Sequence, residues 1–493
     1  MTASTASLTA HEREVLAGVR TDLLIGGRWR PATGGGTVGV EDPATGLEIA
    51  RVADATPEDA MAALDAAVDG QAAMAALSPR ERSTILQKAA DLITEHTEEL
   101  ALLMTLELGK PLAESRGEVA YGASFFWWFS GEAVRFKGEF KRSADGAGQT
   151  LVSRQPVGPS LFITPWNFPL AMGARKLAPA IAAGCTSIVK PAKLTPLTML
   201  KLGELLVEAG LPDGAVNIIT ASSAGKTTGP LIEDRRLKKL SFTGSTEVGQ
   251  KLVESAAGNL LRVSMELGGN APLIVFDDAD LDVAVEGAYL AKMRNGGEAC
   301  TSANRILVQS GIADAFTERF TAKMAAVKVG RGTEDGVGLG AMVDQDQLDK
   351  IAELVDDATA KGAKVACGGE RVGETGHFYA ATVLTDVPGD ARLLKEEIFG
   401  PVAPIRVFES EDDAIAEANA TEYGLISYLF TQDLARGHRV AAALESGMVG
   451  LNRGVISSAD APFGGIKHSG YGREGGAEGI EEYLETKYLS MPA

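Results

Sequence analysis

The sequence predicts an α/β protein with two mostly parallel sheets, and three observations carry that expectation. Between residues 160 and 276, short β-rich runs at 161–164, 187–189, 216–219, 240–243 and 273–276 alternate with helix-length segments, the pattern of βαβ units. A second alternation runs from residue 306 to about 453 and includes a helical stretch at 345–361 and a strand-like run at 425–431. The chain has 493 residues, 45% hydrophobic and 23% charged, which is enough ordinary globular material for two or three packed units.

In chain order, residues 23–28 form a short β preface around the turn Gly26-Gly27. Thr56-Pro57-Glu58-Asp59 places a cap, a first-turn proline and two acids where a helix begins. Ser78-Pro79-Arg80-Glu81 repeats this as a capping box. Leu86, Ala89, Ala90, Ile93, Leu100, Leu103 and Met104 then keep helical spacing until Gly109 and Pro111 stop it. The aromatics Tyr121, Phe125, Phe126, Trp127, Trp128 and Phe129 read as helix core rather than a ligand cage, with a pocket wall left open as a further use. Residues 137–156 are polar and alternate in charge, as in an exposed hairpin or linker. The 57 glycines imply many tight turns.

A net charge of −19 repels phosphate backbones and anionic lipid, so no nucleic-acid or membrane partner is expected. No apolar run reaches the roughly 18–20 residues that span a bilayer. The first twenty residues lack an apolar core and carry Glu12, Arg13 and Glu14, which argues against a secretory signal and for the cytoplasm. Three cysteines, Cys185, Cys300 and Cys367, form no disulfide framework and suit a reducing compartment. None of the five histidines stands in ligand spacing, so no metal site is expected.

Cys300 lies in Arg294-Asn295-Gly296-Gly297-Glu298-Ala299-Cys300-Thr301-Ser302, among small residues that let backbone approach a ligand. Its thiol is either a nucleophile or a buried small hydrophobe. Cys185 and Cys367 read as structural. Glu266, in Met265-Glu266-Leu267-Gly268-Gly269-Asn270 beside the apolar run 271–276, is either a general base or a solvated loop acid. Two glycine patterns compete for a nucleotide. Gly470-Tyr471-Gly472-Arg473-Glu474-Gly475 has the G-x-G-x-x-G spacing without a preceding strand and reads as a loop. Phe242-Thr243-Gly244-Ser245-Thr246-Glu247-Val248-Gly249 follows a strand and opens a helix, offering free N–H groups to a pyrophosphate. Lys190 and Lys193 lie at the end of another strand, where they either meet the ribose of a dinucleotide or form a solvated basic pair.

Taken in order, seven motifs resemble the aldehyde dehydrogenase superfamily over nearly the whole chain: Pro165-Trp166-Asn167-Phe168-Pro169, Lys190-Pro191-Ala192, Phe242-Thr243-Gly244-Ser245, Glu266-Leu267-Gly268-Gly269, Gly297-Glu298-Ala299-Cys300, Glu397-Ile398-Phe399-Gly400-Pro401 and Pro462-Phe463-Gly464-Gly465. The resemblance implies two doubly wound domains, a Rossmann-like cofactor domain (1–137 and 150–265) and a catalytic domain (266–461), with a small β oligomerisation arm (138–149 and 462–493). It implies a hairpin at 138–149, a strand at 480–489, and a homodimer or homotetramer. In the implied mechanism the Cys300 thiolate attacks an aldehyde, Asn167 and the Cys300 N–H hold the oxyanion, and Glu266 activates the water that hydrolyses the thioester. Thr164, Trp166, Lys190, Lys193, Gly244, Ser245, Leu267, Glu397 and Phe399 would bind the dinucleotide.

The sequence is most similar to the succinate-semialdehyde dehydrogenase branch, in which Arg175, Arg294 and Ser457 would clamp the carboxylate at the far end of the substrate. Glutarate semialdehyde is the alternative substrate. Lys193 stands where NAD-preferring relatives carry Glu, so NADP is expected over NAD. Ser302 replaces a second cysteine of some relatives and leaves no local disulfide switch. Glu298 replaces a more frequent glutamine and would raise the thiol pKa by repulsion if it faced Cys300.

Overall fold

A computed structural model describes residues 8–492; the outermost parts of the expected segments 1–137 and 462–493 lie outside the described residues. One sheet has the strand order Arg28–Arg30, Leu23–Ile25, Val216–Ile218, Ser187–Lys190, Ser160–Ile163, Lys239–Thr243, Arg262–Glu266, Gly470–Tyr471. Its five central strands are parallel, and antiparallel strands close both edges. The other sheet runs Lys364–Cys367, Thr382–Thr385, Val402–Phe408, Ala303–Gln309, Ala271–Val275, Ile426–Phe430, Met448–Leu451, parallel except for its first strand. Most central strands are buried throughout, which is why they read as continuous apolar runs.

The N-terminal helices begin where the capping residues stand. Thr56 accepts from the Asp59 N–H while Asp59 accepts from the Thr56 N–H, opening Pro57–Ala76. Ser78 and Glu81 do the same for Pro79–Glu95. The helical run expected to continue to Gly109 is broken at His96, and a separate helix, Thr97–Leu108, follows. The two halves face different surroundings. The first is amphipathic, whereas every residue from Leu100 to Leu108 is buried, so the second half must leave the surface. Gly109, at φ +95°, ends it in the left-handed conformation.

The polar segment after helix Leu112–Glu132 is a hairpin. Glu139–Arg142 pairs with Gly148–Pro156, which also pairs with Leu484–Pro492 along its whole length. An arm ending at 149 would cut that unbroken strand, so residues 150–156 belong with the arm. The C-terminal strand starts at Leu484, later than expected, because Glu478–Glu481 forms a helical turn. Residues 463–474 are also not arm: Gly470–Tyr471 extends the first sheet, and Phe463 and Glu474 exchange backbone hydrogen bonds. Among the described residues, no helix is long and apolar enough to cross a membrane.

Candidate active site

The C-terminal ends of three parallel strands deliver most of the site, the position at which open α/β sheets bind ligands. Ser160–Ile163 leads to Trp166 and Asn167, Lys239–Thr243 to Gly244 and Ser245, and Arg262–Glu266 ends on the carboxylate itself. Glu266 was expected beside the run 271–276. It instead closes a strand of its own in the first sheet, in register with Thr243, while Ala271–Val275 belongs to the second sheet. Residues 262–266 pass from half-buried at Arg262 and Val263 to buried at Ser264, Met265 and Glu266, and with Arg262, Ser264 and Glu266 among five residues the strand lacks the apolar run that marked its neighbours.

Cys300 comes from the second sheet's side, on the loop between helix Leu281–Met293 and strand Ala303–Gln309. Two glycines permit the approach. A Cβ on Gly297, whose φ is +80°, would sit 2.2 Å from the Gly400 carbonyl oxygen, and one on Gly269 would sit 2.4 Å from the Cys300 carbonyl oxygen. Cys300, Glu266, Asn167, Trp166, Gly244, Ser245, Leu267, Glu397 and Phe399 thereby line a single cavity of about 200 Å³. A larger hollow of about 610 Å³, beside Asp314, Glu318 and Arg406, contains none of them.

The cavity's charges are sparsely compensated. Both Glu266 carboxylate oxygens are buried without a hydrogen-bond partner. Burial, reinforced by the Glu474 charge, holds this carboxyl well above the usual range. Burial also pushes the Cys300 thiol up to about 12, with Arg175 acting against it. Glu298 does not supply that shift: its Oε1 accepts from the Val343 N–H at 3.2 Å, and burial raises its own carboxyl. The Asn167 amide donates to the Glu298 carbonyl at 3.0 Å. Asn295, held at φ +56°, fixes the same corner by donating to the carbonyls of Asn167 and Glu298.

Trp166 and Phe399 meet edge to face at 5.2 Å, and Glu397 accepts from the Gly269 N–H at 3.0 Å. Thr164, Lys190 and Lys193 lie outside this cavity, at the ends of the neighbouring strands, where the Thr164 N–H donates to the Lys190 carbonyl. Lys190 is buried and Lys193 exposed. Burial, then the Lys193 charge, brings the Lys190 amine down to about 8. Among the described residues no carboxylate pairs with it. A buried cation of this kind fits a phosphate group. So does the Thr246–Ala257 helix N-terminus, where Ser245 makes no side-chain cap.

A second cavity of about 340 Å³ lies across the apolar cluster of Phe168, Met172 and Ala299 and is lined by Arg294, Ser457, Tyr121 and Glu114. Arg294 donates to Ser457 Oγ at 3.1 Å, so these two expected clamp residues do meet. Arg175 borders neither cavity. It is buried with its guanidinium 3.7 Å from the Phe463 ring and its Nε 2.7 Å from Glu474 Oε2, while its Nη2 has no hydrogen-bond partner.

Sequence reading missed Glu474, Asn295, Gln347 and Lys350. Gln347 donates to the Phe399 carbonyl at 2.7 Å, and both Gln347 and Lys350 line the first cavity. Glu474 lies within the G-x-G-x-x-G pattern that reads in sequence as a loop. That segment supplies an edge strand paired with Met265 and Glu266, and its acid receives Lys176 Nζ at 2.6 Å. Cys185 is buried and donates to the Tyr483 carbonyl, and Cys367 lies in an edge strand far along the second sheet. Among the described residues, no group of three or more His, Cys, Asp or Glu is arranged to hold a metal.

The chain is similar to known proteins over most of its length. Residues 29–489 match the model of the aldehyde dehydrogenase family. A succinate-semialdehyde dehydrogenase of Paenarthrobacter nicotinovorans is 56% identical over 90% of this chain and 98% of its own. A glutarate-semialdehyde dehydrogenase of Pseudomonas putida is 49% identical over 96% of this chain and 98% of its own. The crystal structure of an NADP-dependent enzyme of Escherichia coli superposes with a TM-score of 0.95 at 47% identity, covering 96% of this chain and 98% of that one. The chain belongs to the aldehyde dehydrogenase family.

Proposed function

We propose that this enzyme oxidises succinate semialdehyde to succinate with NADP in preference to NAD. The observation that carries the reading is the convergence of Cys300, Glu266 and Asn167 on one cavity, next to a second that presents Arg294 and Ser457. The Cys300 thiolate adds to the aldehyde carbon. The Asn167 amide and the Cys300 N–H hold the oxyanion that forms. The dinucleotide, when bound, supplies the hydride acceptor. Glu266 then takes a proton from the water that hydrolyses the resulting Cys300 thioester, a role that its unpaired and weakly acidic carboxyl supports.

Gly244, Ser245 and Leu267 would border the dinucleotide, Trp166 and Phe399 would flank its nicotinamide end, Glu397 would hold the adjoining ribose, and Thr164 shapes the strand end beside Lys190. Lys190 and Lys193 would receive the 2′-phosphate of NADP. Arg294 and Ser457, at the second cavity, receive the substrate carboxylate, with the Arg175 charge, held by Glu474, acting from outside that cavity. In this scheme residues 1–137 and 157–265 serve the dinucleotide, 266–461 the chemistry, and the three-stranded arm, which takes in residues 150–156, pairs subunits into a homodimer or homotetramer. The −19 charge and sparse cysteines support a cytoplasmic enzyme without nucleic-acid partners.

Glutarate semialdehyde is the second reading, supported by relatives of that name at similar identity. One methylene shifts discrimination by only about 1–3 kcal/mol. The test is the initial rate of cofactor reduction with succinate semialdehyde, glutarate semialdehyde and butanal, each with NADP and NAD. Highest kcat/KM for succinate semialdehyde with NADP supports the proposal. A preference for butanal with NAD would overturn both specificity assignments.

A further inference from the structure

Tyr121 reads in sequence as one more core aromatic of helix Leu112–Glu132, and three of its neighbours are just that: Phe125, Phe126 and Phe129 are fully buried. Tyr121 differs. It borders the cavity that holds Arg294 and Ser457, with its ring edge to face against Phe125 at 5.0 Å and the Arg294 guanidinium 5.5 Å over its face. Its hydroxyl is removed from solvent yet has no hydrogen-bond partner. A buried hydroxyl without an acceptor carries a desolvation cost that natural sites avoid unless a ligand relieves it.

The surroundings say what kind of ligand. The Nη2 of Arg175 is a second buried donor without a partner, and the cations acting most strongly on the phenol are Arg175 and then Arg294. Burial raises the phenol above its ordinary pKa, so it keeps its proton and donates. Arg294 and a neutral phenol border one cavity, with the charge of Arg175 acting on that phenol from outside it, and this set suits an anion with several lone pairs; a carboxylate offers about four acceptor positions. We propose that the Tyr121 hydroxyl is a third donor to the terminal carboxylate of the substrate and sets the preference for carboxylated over apolar aldehydes. This rests on the reading that the cavity takes such an aldehyde. An apolar aldehyde would leave these donors unpaired, the circumstance in which polar pockets reject a substrate most strongly.

Tyr121→Phe tests the hydroxyl alone, because the ring that meets Arg294 and Phe125 is retained. Initial rates with succinate semialdehyde and butanal are compared between wild type and variant at saturating cofactor. The expected result is a kcat/KM loss for succinate semialdehyde roughly tenfold or more beyond that for butanal, carried by KM, with a parallel weakening of inhibition by succinate. Equal losses for the two aldehydes, beside a wild type that prefers succinate semialdehyde, would overturn the role of Tyr121 and leave the substrate reading standing. A wild type without that preference would overturn the substrate reading, and this proposal with it.

Discussion

Arg175 and Glu474 form a buried ion pair, Nε to Oε2 at 2.7 Å, between residues almost 300 positions apart in the chain. The other oxygen of Glu474 receives Lys176 Nζ at 2.6 Å, so one carboxylate balances two buried cations. Its charge also reaches Glu266, whose carboxyl it helps to hold high. Arg175 and Glu266 are thus linked through a single acid.

Replacing that acid should act on both. Glu474→Leu strands two buried cations, and the loss is expected to be about 3–5 kcal/mol, read from urea unfolding. Glu474→Gln removes a like charge near Glu266 and leaves the two cations more effective, so the Glu266 pKa falls. Because the base must be ionised, the acid limb of the kcat profile should move to lower pH. A limb that stays in place would show that Glu474 does not tune the base.

The Cys300 thiol, pushed up to about 12 by burial, is mostly protonated at neutral pH in the free enzyme. Alkylation by iodoacetamide should therefore accelerate about tenfold per pH unit from 7 to 9 without a plateau. Cys300→Ala should abolish both alkylation at the site and dehydrogenase turnover. A plateau near pH 7 would mean that the thiol is activated before any ligand binds.

Asn167→Ala removes the side-chain donor proposed for the oxyanion, and kcat should fall about 100- to 1000-fold with little change in KM. Asn295→Ala releases the amide that fixes the Asn167 and Glu298 carbonyls. It should lower kcat in the same direction by a smaller factor. Comparable losses in KM alone would place both residues in substrate binding.

Lys193→Glu should lower the NADP/NAD ratio of kcat/KM roughly tenfold or more. Lys190 adds a pH dependence. Its amine, brought down to about 8, is charged below that pH and neutral above it. The KM for NADP should therefore rise relative to that for NAD as pH climbs past 8. A ratio indifferent to both changes would remove the two lysines from cofactor selection.

Arg175→Ala should raise KM for succinate semialdehyde far more than for butanal. Equal effects would assign Arg175 to the balance with Glu474 and Lys176 alone.

The sequence by itself determined the helix starts at Thr56 and Ser78, the parallel strands, and the separate segments bearing Asn167, Glu266 and Cys300. These depend on local signals: caps a few residues long, apolar runs, and glycine-bordered motifs. Only the tertiary structure decided that Glu266 ends its own strand, that His96 divides a helix, that Glu298 faces Val343, and that Glu474 balances Arg175. Each depends on burial and on partners distant in the chain. A carboxylate's role is set by the charges and dipoles packed around it, which short-range spacing does not specify.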